Sequence, residues 1–514
     1  MICRRYSQYS KLLSVFIYLV PVLIPLIYLA VTGGQDDTQV LNQRRFGLLM
    51  NSVKIAAPVV FICLIISVMV AMRVHTAFRR RPVMRWFFLL LAPVPSYIYA
   101  LSYMNLIRFA GMIFPSVLKY QMAGVVPCIL VESMAFLPFA CAAALTGLEQ
   151  VNAQEWRAAL LFDNADRVFF KVILPVQLPW LLAMGAVIFV LSITDYSIPS
   201  LFQVNVYAME IFSDYSAAGQ SLHSLRLSAP LIFISTVIIL IFMFSLNKSF
   251  RPMKTDRNIY PVYSKGLTAA GNAAVILALL QIILPVISLI PYIGVGIRQY
   301  VSAGKELINS CLIGILAVLL LMIPAALMAL TLTKSCGVSG FMLWAAALIP
   351  LSVPGVLTGI GVLKLFSDTP LYIFRNGIIM PAVGMAVRYL PFAMLVQYGC
   401  YLRIDRDKLR AARLLAPSAG KALLKVQLPL MASGFIISGI VVFLLTLGDV
   451  GTVLILMGAG KEPLSVKIYN YLHYGSSETV AVFCLIQMTV CILLMLMLYV
   501  FAGKRVGKAD RTDD

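Results

Sequence analysis

Four charged side chains sit in otherwise apolar stretches: Glu132, Asp195, Arg388 and Asp449. An ionised group in hydrocarbon is costly enough that it must pair, reach water or handle a charged solute. Asp195 and Asp449 close two matching segments, "GAVIFVLSITD" (185–195) and "GIVVFLLTLGD" (439–449), 254 residues apart. Each follows a proline, Pro175 or Pro429, by 20 residues, which is roughly 30 Å of helix. Both aspartates then lie at the far end of a membrane-crossing segment, where they could face each other and offer negative charge to a cation. The plainer alternative is that each ends its helix in water or bonds a neighbouring loop. Glu132 and Arg388 fall in corresponding segments but not at corresponding positions, because the register of "LPFA" at 137–140 and 390–393 maps Arg388 onto Ala135. One turn of offset lets the two meet as a structural ion pair if their segments face one another. Contact with a substrate is the other reading.

The remaining candidates for chemistry are weaker. His223 in "GQSLHSLRLSAP" and His473 in "VKIYNYLHYGSSE" have no carboxylate cluster beside them, so no metal site is expected there. Tyr469, Tyr471 and Tyr474 fit a polar-aromatic surface at a membrane boundary. Seven of the nine cysteines (Cys63, Cys128, Cys141, Cys311, Cys400, Cys484 and Cys491) fall in apolar stretches, and no CxxC occurs. They read as small apolar residues and not as a disulfide or metal framework. "GAGKE" (458–462) resembles a phosphate-binding loop only superficially, since the spacing fails and Glu462 replaces Ser or Thr.

The elements that must position these groups are transmembrane helices. The chain has 514 residues, 61% of them hydrophobic and 12% charged, where a soluble domain carries about 25% charged residues. Blocks of about 20 apolar residues match the thickness of a bilayer. Twelve spans are expected, near 12–31, 47–72, 86–107, 122–147, 178–203, 228–246, 267–292, 307–333, 340–366, 377–402, 430–456 and 480–502. The first is long, holds two prolines and lacks a small-x-small cleavage site, so it reads as a retained helix. A net charge of +20 raises the possibility of nucleic-acid binding. Its distribution argues against that, because Lys and Arg concentrate in alternate loops: "RVHTAFRRRPVMR" (73–85), "NKSFRPMKTDR" (247–257), "RIDRDKLRAAR" (403–413) and "KRVGKADR" (504–511). The positive-inside rule then puts both termini in the cytoplasm, with anionic lipid a secondary partner and no nucleic acid.

An internal repeat organises the chain. "KVILP" (171–175) recurs as "KVQLP" (425–429), and "NS" opens spans at Asn51 and Asn309. Two parallel six-helix repeats follow, 1–246 and 267–514, joined by a basic linker at 247–266. Ahead of each "LP" lies a basic, alanine-rich stretch: "RAALLFDNADRVFFKVILPV" (157–176) and "RAARLLAPSAGKALLKVQLPL" (410–430). In the second, Leu409, Ala412 and Leu415 share a helical face before Pro417 and Ser418 break and restart the helix. A helix–turn–helix on the membrane surface results. It either rests on lipid or docks a protein. Its duplication and its small-residue face favour docking.

The second stretch resembles the cytoplasmic EAA-x3-G signature of inner-membrane permeases of ABC importers, through Ala411, Ala412, Leu414, Leu415, Val426, Leu428 and Pro429. Over essentially its whole length the chain is similar to the fused two-domain ferric-iron and thiamine permeases. Arg410 stands where that family has Glu, and Ala416 where it has Gly. The first stretch departs further, with Phe162 at the glycine position and one residue missing after Ala159. Asn164, tolerant of a left-handed turn, is the expected bend there. The resemblance implies an all-α type I permease fold in a bacterial inner membrane. It also implies two separate ATP-binding subunits docking on Arg157, Ala158, Ala159, Leu161 and Phe162 and on Arg410, Ala411, Ala412, Leu415 and Ala416. An extracytoplasmic solute-binding protein would touch His223, Tyr469, Tyr471 and His473, and Asp195, Asp449, Glu132 and Arg388 are the candidates for the translocation pathway. The chain itself would be no enzyme and bind no cofactor, ATP being used by the partner subunits. "RYLPFA" around Arg388 puts ferric iron first among substrates, with thiamine, a polyamine or an organophosphonate open. A major-facilitator-type transporter would also have twelve spans, but it predicts a GxxxDRxGRR-like loop after span two, where "RVHTAFRRRP" has neither Asp nor Gly.

Overall fold

Long apolar blocks that satisfy their own backbone hydrogen bonds fold as helices, and the computed structural model is helical throughout, with no strand among the described residues. It describes residues 2–32, 42–78, 94–113, 123–149, 151, 153–219, 221–247, 263–292, 303–333, 335, 337–402, 404, 411, 414–416, 418–474 and 477–510. The first part comprises α1 (Ile2–Thr32), α2 (Gln43–Ala77), α3 (Ser96–Ile113), α4 (Val125–Leu148), α5 (Ala153–Leu160), α6 (Ala165–Val168), α7 (Leu174–Thr194), α8 (Ser197–Leu201), α9 (Tyr207–Ala218) and α10 (Ser221–Asn247). After the linker come α11 (Lys265–Leu289), α12 (Gly304–Thr333), α13 (Gly337–Leu348), α14 (Gly355–Asp368) and α15 (Ile379–Leu402). The chain ends with α16 (Ala419–Ala422), α17 (Leu428–Gly448), α18 (Val453–Leu456), α19 (Leu464–Tyr474) and α20 (Ser477–Asp510).

Ten described helices are long and apolar enough to cross a membrane. This is a polytopic, all-helical membrane protein. The expected span at 340–366 is not one rod, since α13 and α14 meet at a bend of 88°. Pro350 and Pro354 cause the break: neither has an N–H to donate, and Pro354 sits in extended backbone as the N-cap of α14. Counting that pair as one span gives eleven. The expected span at 86–107 begins outside the described residues and continues in α3.

Packing groups the chain into two compact units, one of Met1–Thr38, Asp214–Ile232 and Glu306–Pro463, the other of Gln39–Ser213, Phe233–Lys305 and Leu464–Asp514. The sequence repeat and the packing therefore divide the chain differently. In the first unit α1 lies against α13, α14 and α15. Its Tyr18 hydroxyl donates to the Ala347 carbonyl at 2.8 Å, and its Pro25 closes on Gly361, where a Cβ would come within 3.0 Å. In the second unit α11 lies against α2 and α3. α1 thus packs beside helices that follow the linker, and α11 beside helices that precede it as well as α20.

Matched packing recurs within the units. Gly185 on α7 faces Val60 and Leu64 of α2, and a Cβ there would lie 3.2 Å from Leu64. Gly439 on α17, 254 residues later, faces Val318 and Met322 of α12, and a Cβ there would lie 3.1 Å from Met322. Small residues at such crossings let apolar helices approach closely. Asn51 Nδ2 donates to the Asn205 carbonyl at 3.3 Å, and Asn309 Nδ2 donates to the Glu462 carbonyl at the same distance.

Candidate functional site

Asp449 ends α17 with φ −75° and ψ 128°, an extended conformation in which the chain leaves the helix. Its Oδ1 accepts the Thr452 N–H at 2.8 Å, turning the chain back toward α18. On the other oxygen converge the Tyr389 hydroxyl at 2.7 Å, the Thr452 hydroxyl at 3.3 Å and Arg388 Nη1 at 2.9 Å. Arg388 also donates to the Thr452 hydroxyl and lies 5.6 Å from the centre of the Tyr389 ring. The guanidinium fits only because Gly355, first residue after the proline break, lacks a side chain: a Cβ there would stand 1.7 Å from Nη1. The two charges neutralise each other, with the Asp449 side chain buried and that of Arg388 partly exposed.

At the corresponding position of the other unit the chemistry differs. Asp195 ends α7 with φ −81° and ψ 137°, and its Oδ1 accepts from the Ser197 N–H at 2.9 Å and from the Ser197 hydroxyl. Glu132 on α4 is fully buried; Oε2 accepts from the Ser192 hydroxyl, and Oε1 has no hydrogen-bond partner among the described residues. The two carboxylates lie within electrostatic reach of each other. Nearby, the Ser200 and Tyr469 hydroxyls share a hydrogen bond of 2.7 Å. Burial raises the Tyr469 phenol above its ordinary range; the Ser200 bond opposes that and the Asp195 charge adds to it. Within their own units the structure brings together Arg388 with Asp449, and Glu132 with Ser192.

The duplicated surface stretches share an architecture from their caps onward. Asn164 is not left-handed but extended, with φ −75° and ψ 161°, and caps α6 by accepting the Arg167 N–H at 3.0 Å. Ser418, 254 residues later, accepts the Lys421 N–H at 3.3 Å in front of α16. Each short helix runs into a π turn, Phe169–Ile173 or Leu423–Gln427, and then into α7 or α17. Before the caps, large apolar side chains project outward: Leu161 is 83% exposed, Phe162 90%, Leu414 85% and Leu415 85%. Arg157, Ala158 and Ala411 are also exposed, and Ala159 and Ala416 half-buried; Arg410 and Ala412 lie outside the described residues. Trp156 anchors the first stretch, buried with its ring 6.1 Å from Tyr263, which meets Phe169 edge-on at 5.8 Å. In the turn, the Asn164 N–H bond to Asp163 is the main reason its carboxyl is held below the ordinary carboxylate range, with Lys171 and Arg167 assisting.

His223 on α10 is buried, its Nε2 3.4 Å from Asp214. Tyr469 is buried, Tyr471 half-buried against Phe483 and His473 exposed, packing edge-on to Tyr469 at 4.6 Å. The side chain of Tyr474 is outside the described set. Tyr389, Thr452 and Gly355, and Ser192, Ser197 and Ser200, join the clusters without having been singled out by sequence. "DYS" and "DVGT" did carry a signal, because an Asp bonding a backbone amide two or three residues on is a recurrent turn. Among the described residues no group of three or more His, Cys, Asp or Glu side chains is arranged to hold a metal ion. Neither a protein-family model nor a curated protein matches the chain.

Proposed function

We propose that this chain is the membrane-spanning permease of a bacterial inner-membrane ABC importer, driven by separate ATP-hydrolysing subunits that dock on its two cytoplasmic stretches. The observation that carries this reading is that each stretch raises two adjacent apolar side chains, Leu161 with Phe162 and Leu414 with Leu415, each almost wholly exposed two to four residues before a helix cap. A membrane protein gains nothing by raising large apolar side chains from an otherwise basic, polar surface unless something covers them. Lipid could cover one such pair. Two pairs placed before the same cap–turn–span sequence fit a protein that comes in two copies. On this reading the chain has two parallel six-helix halves, both termini in the cytoplasm, and an extracytoplasmic binding protein delivering solute to the far side.

Of the four pathway candidates, Arg388 and Asp449 serve best as a structural pair. Ferric iron remains the leading substrate, ahead of thiamine, a polyamine or an organophosphonate. The purified chain should hydrolyse no ATP by itself. Steady nucleotide turnover by a preparation shown by mass spectrometry to lack other subunits would refute the assignment.

A further inference from the structure

Two π turns occur among the described residues, and they stand in the same register. Phe169–Ile173 ("FFKVI") and Leu423–Gln427 ("LLKVQ") are 254 residues apart, each between a capped single-turn helix and a Leu-Pro pair. In the first, the Leu174 N–H reaches the Phe169 carbonyl five residues back, one more than in an α-helix. The next residue, Pro175, has no N–H, and its ring crowds the carbonyl of Lys171 four residues back; Pro429 does the same to Lys425. The hydrogen-bond ladder is therefore both widened and interrupted where the surface stretch enters the span.

Proline alone does not produce this. Pro58, Pro138, Pro324 and Pro391 sit inside α2, α4, α12 and α15, none of which contains a π turn. Nor is the first turn a frayed end: Phe169 and Ile173 are fully buried while Phe170, between them, is more than half exposed. Apart from Lys-Val the two sequences have no residue in common, so the turn belongs to the position and not to one local sequence.

We infer that the two π turns are matched hinges, each letting a surface stretch swivel against the span it precedes. The use of that motion, carrying a partner's closure into α7 and α17, rests on the permease reading; the hinge itself does not. A π turn houses one residue more than an α turn, so removing Lys171 or Lys425 would convert it while leaving the registers on both sides intact. Lys171→Ala and Lys425→Ala keep the length as controls. Hydrogen exchange followed by mass spectrometry on the full chain in lipid nanodiscs reads the opening of residues 169–174 and 423–428. Each deletion should slow exchange there by about tenfold, by closing the weakest point of the ladder, with the alanine variants unchanged. Pro175→Ala and Pro429→Ala, which restore the missing donors without altering length, should slow it in the same direction and cover the case of a deletion that fails to insert. Exchange at wild-type rates in the proline variants, or equal slowing in the lysine-to-alanine controls, would overturn the hinge. No partner or substrate enters this experiment, so that outcome would leave the permease reading standing.

Discussion

Arg388 Nη1 lies 2.9 Å from Asp449 Oδ2, in a space that exists because Gly355 has no side chain. The pair ties α15 to the end of α17 at the point where α14 begins after its break. Asp449 is almost completely buried, so removing its partner leaves a charge that water cannot reach. Arg388→Met should destabilise the protein by about 3 kcal/mol, read as a lowered midpoint of thermal unfolding in detergent. Adding Asp449→Asn should recover most of the loss. Gly355→Ala should behave like Arg388→Met, because the new methyl occupies the guanidinium's place. A double variant no better than the single would show that the pair is peripheral.

The two glycine crossings make a second test. Gly185→Leu and Gly439→Leu each drive a large side chain into a neighbouring helix and should cost about 1–3 kcal/mol apiece. Gly185→Ala and Gly439→Ala should be milder, since contacts of 3.2 Å and 3.1 Å need only small shifts. Unfolding midpoints measured side by side check the order, and equal effects of alanine and leucine would contradict it.

A third concerns the asparagine pins. Asn51→Ala and Asn309→Ala each delete one hydrogen bond to a loop carbonyl. Each should weaken its loop by about 1 kcal/mol. Faster cleavage near 205 in the first variant and near 462 in the second, by limited proteolysis, would report it. Cleavage unaffected by either change would mean that other contacts hold these loops.

The parts legible in the sequence were those set by local chemistry. Helix ends at Asp195 and Asp449, and the duplicated approach to Pro175 and Pro429, follow from residue type and a constant offset. The partner of Arg388 did not, because it depends on a bend at Pro350–Pro354 that brings Gly355 to the guanidinium. Hydropathy reads 340–366 as one span, since a proline break changes direction without changing apolarity. Asn164 was expected in a left-handed turn and instead caps a helix; both roles suit its short polar side chain, and only the backbone decides between them. The exposure of Leu161, Phe162, Leu414 and Leu415 was equally hidden, because leucine and phenylalanine in an amphipathic stretch ordinarily point inward. Nor does a repeat in sequence say which neighbours a first helix will choose: α1 packs on α13, α14 and α15, and α11 on α2 and α3 as well as α20.

The central claim is that those four apolar side chains are docking points for ATP-hydrolysing subunits. It is tested most directly by co-expressing the chain with ATP-binding subunits encoded beside it, purifying on a tag on this chain, and measuring bound subunit and ATP hydrolysis. Leu161→Ser with Phe162→Ser should lose part of both, Leu414→Ser with Leu415→Ser likewise, and all four together should abolish both while membrane insertion stays at the wild-type level. Undiminished subunit binding and ATP turnover in the fourfold variant would contradict the account.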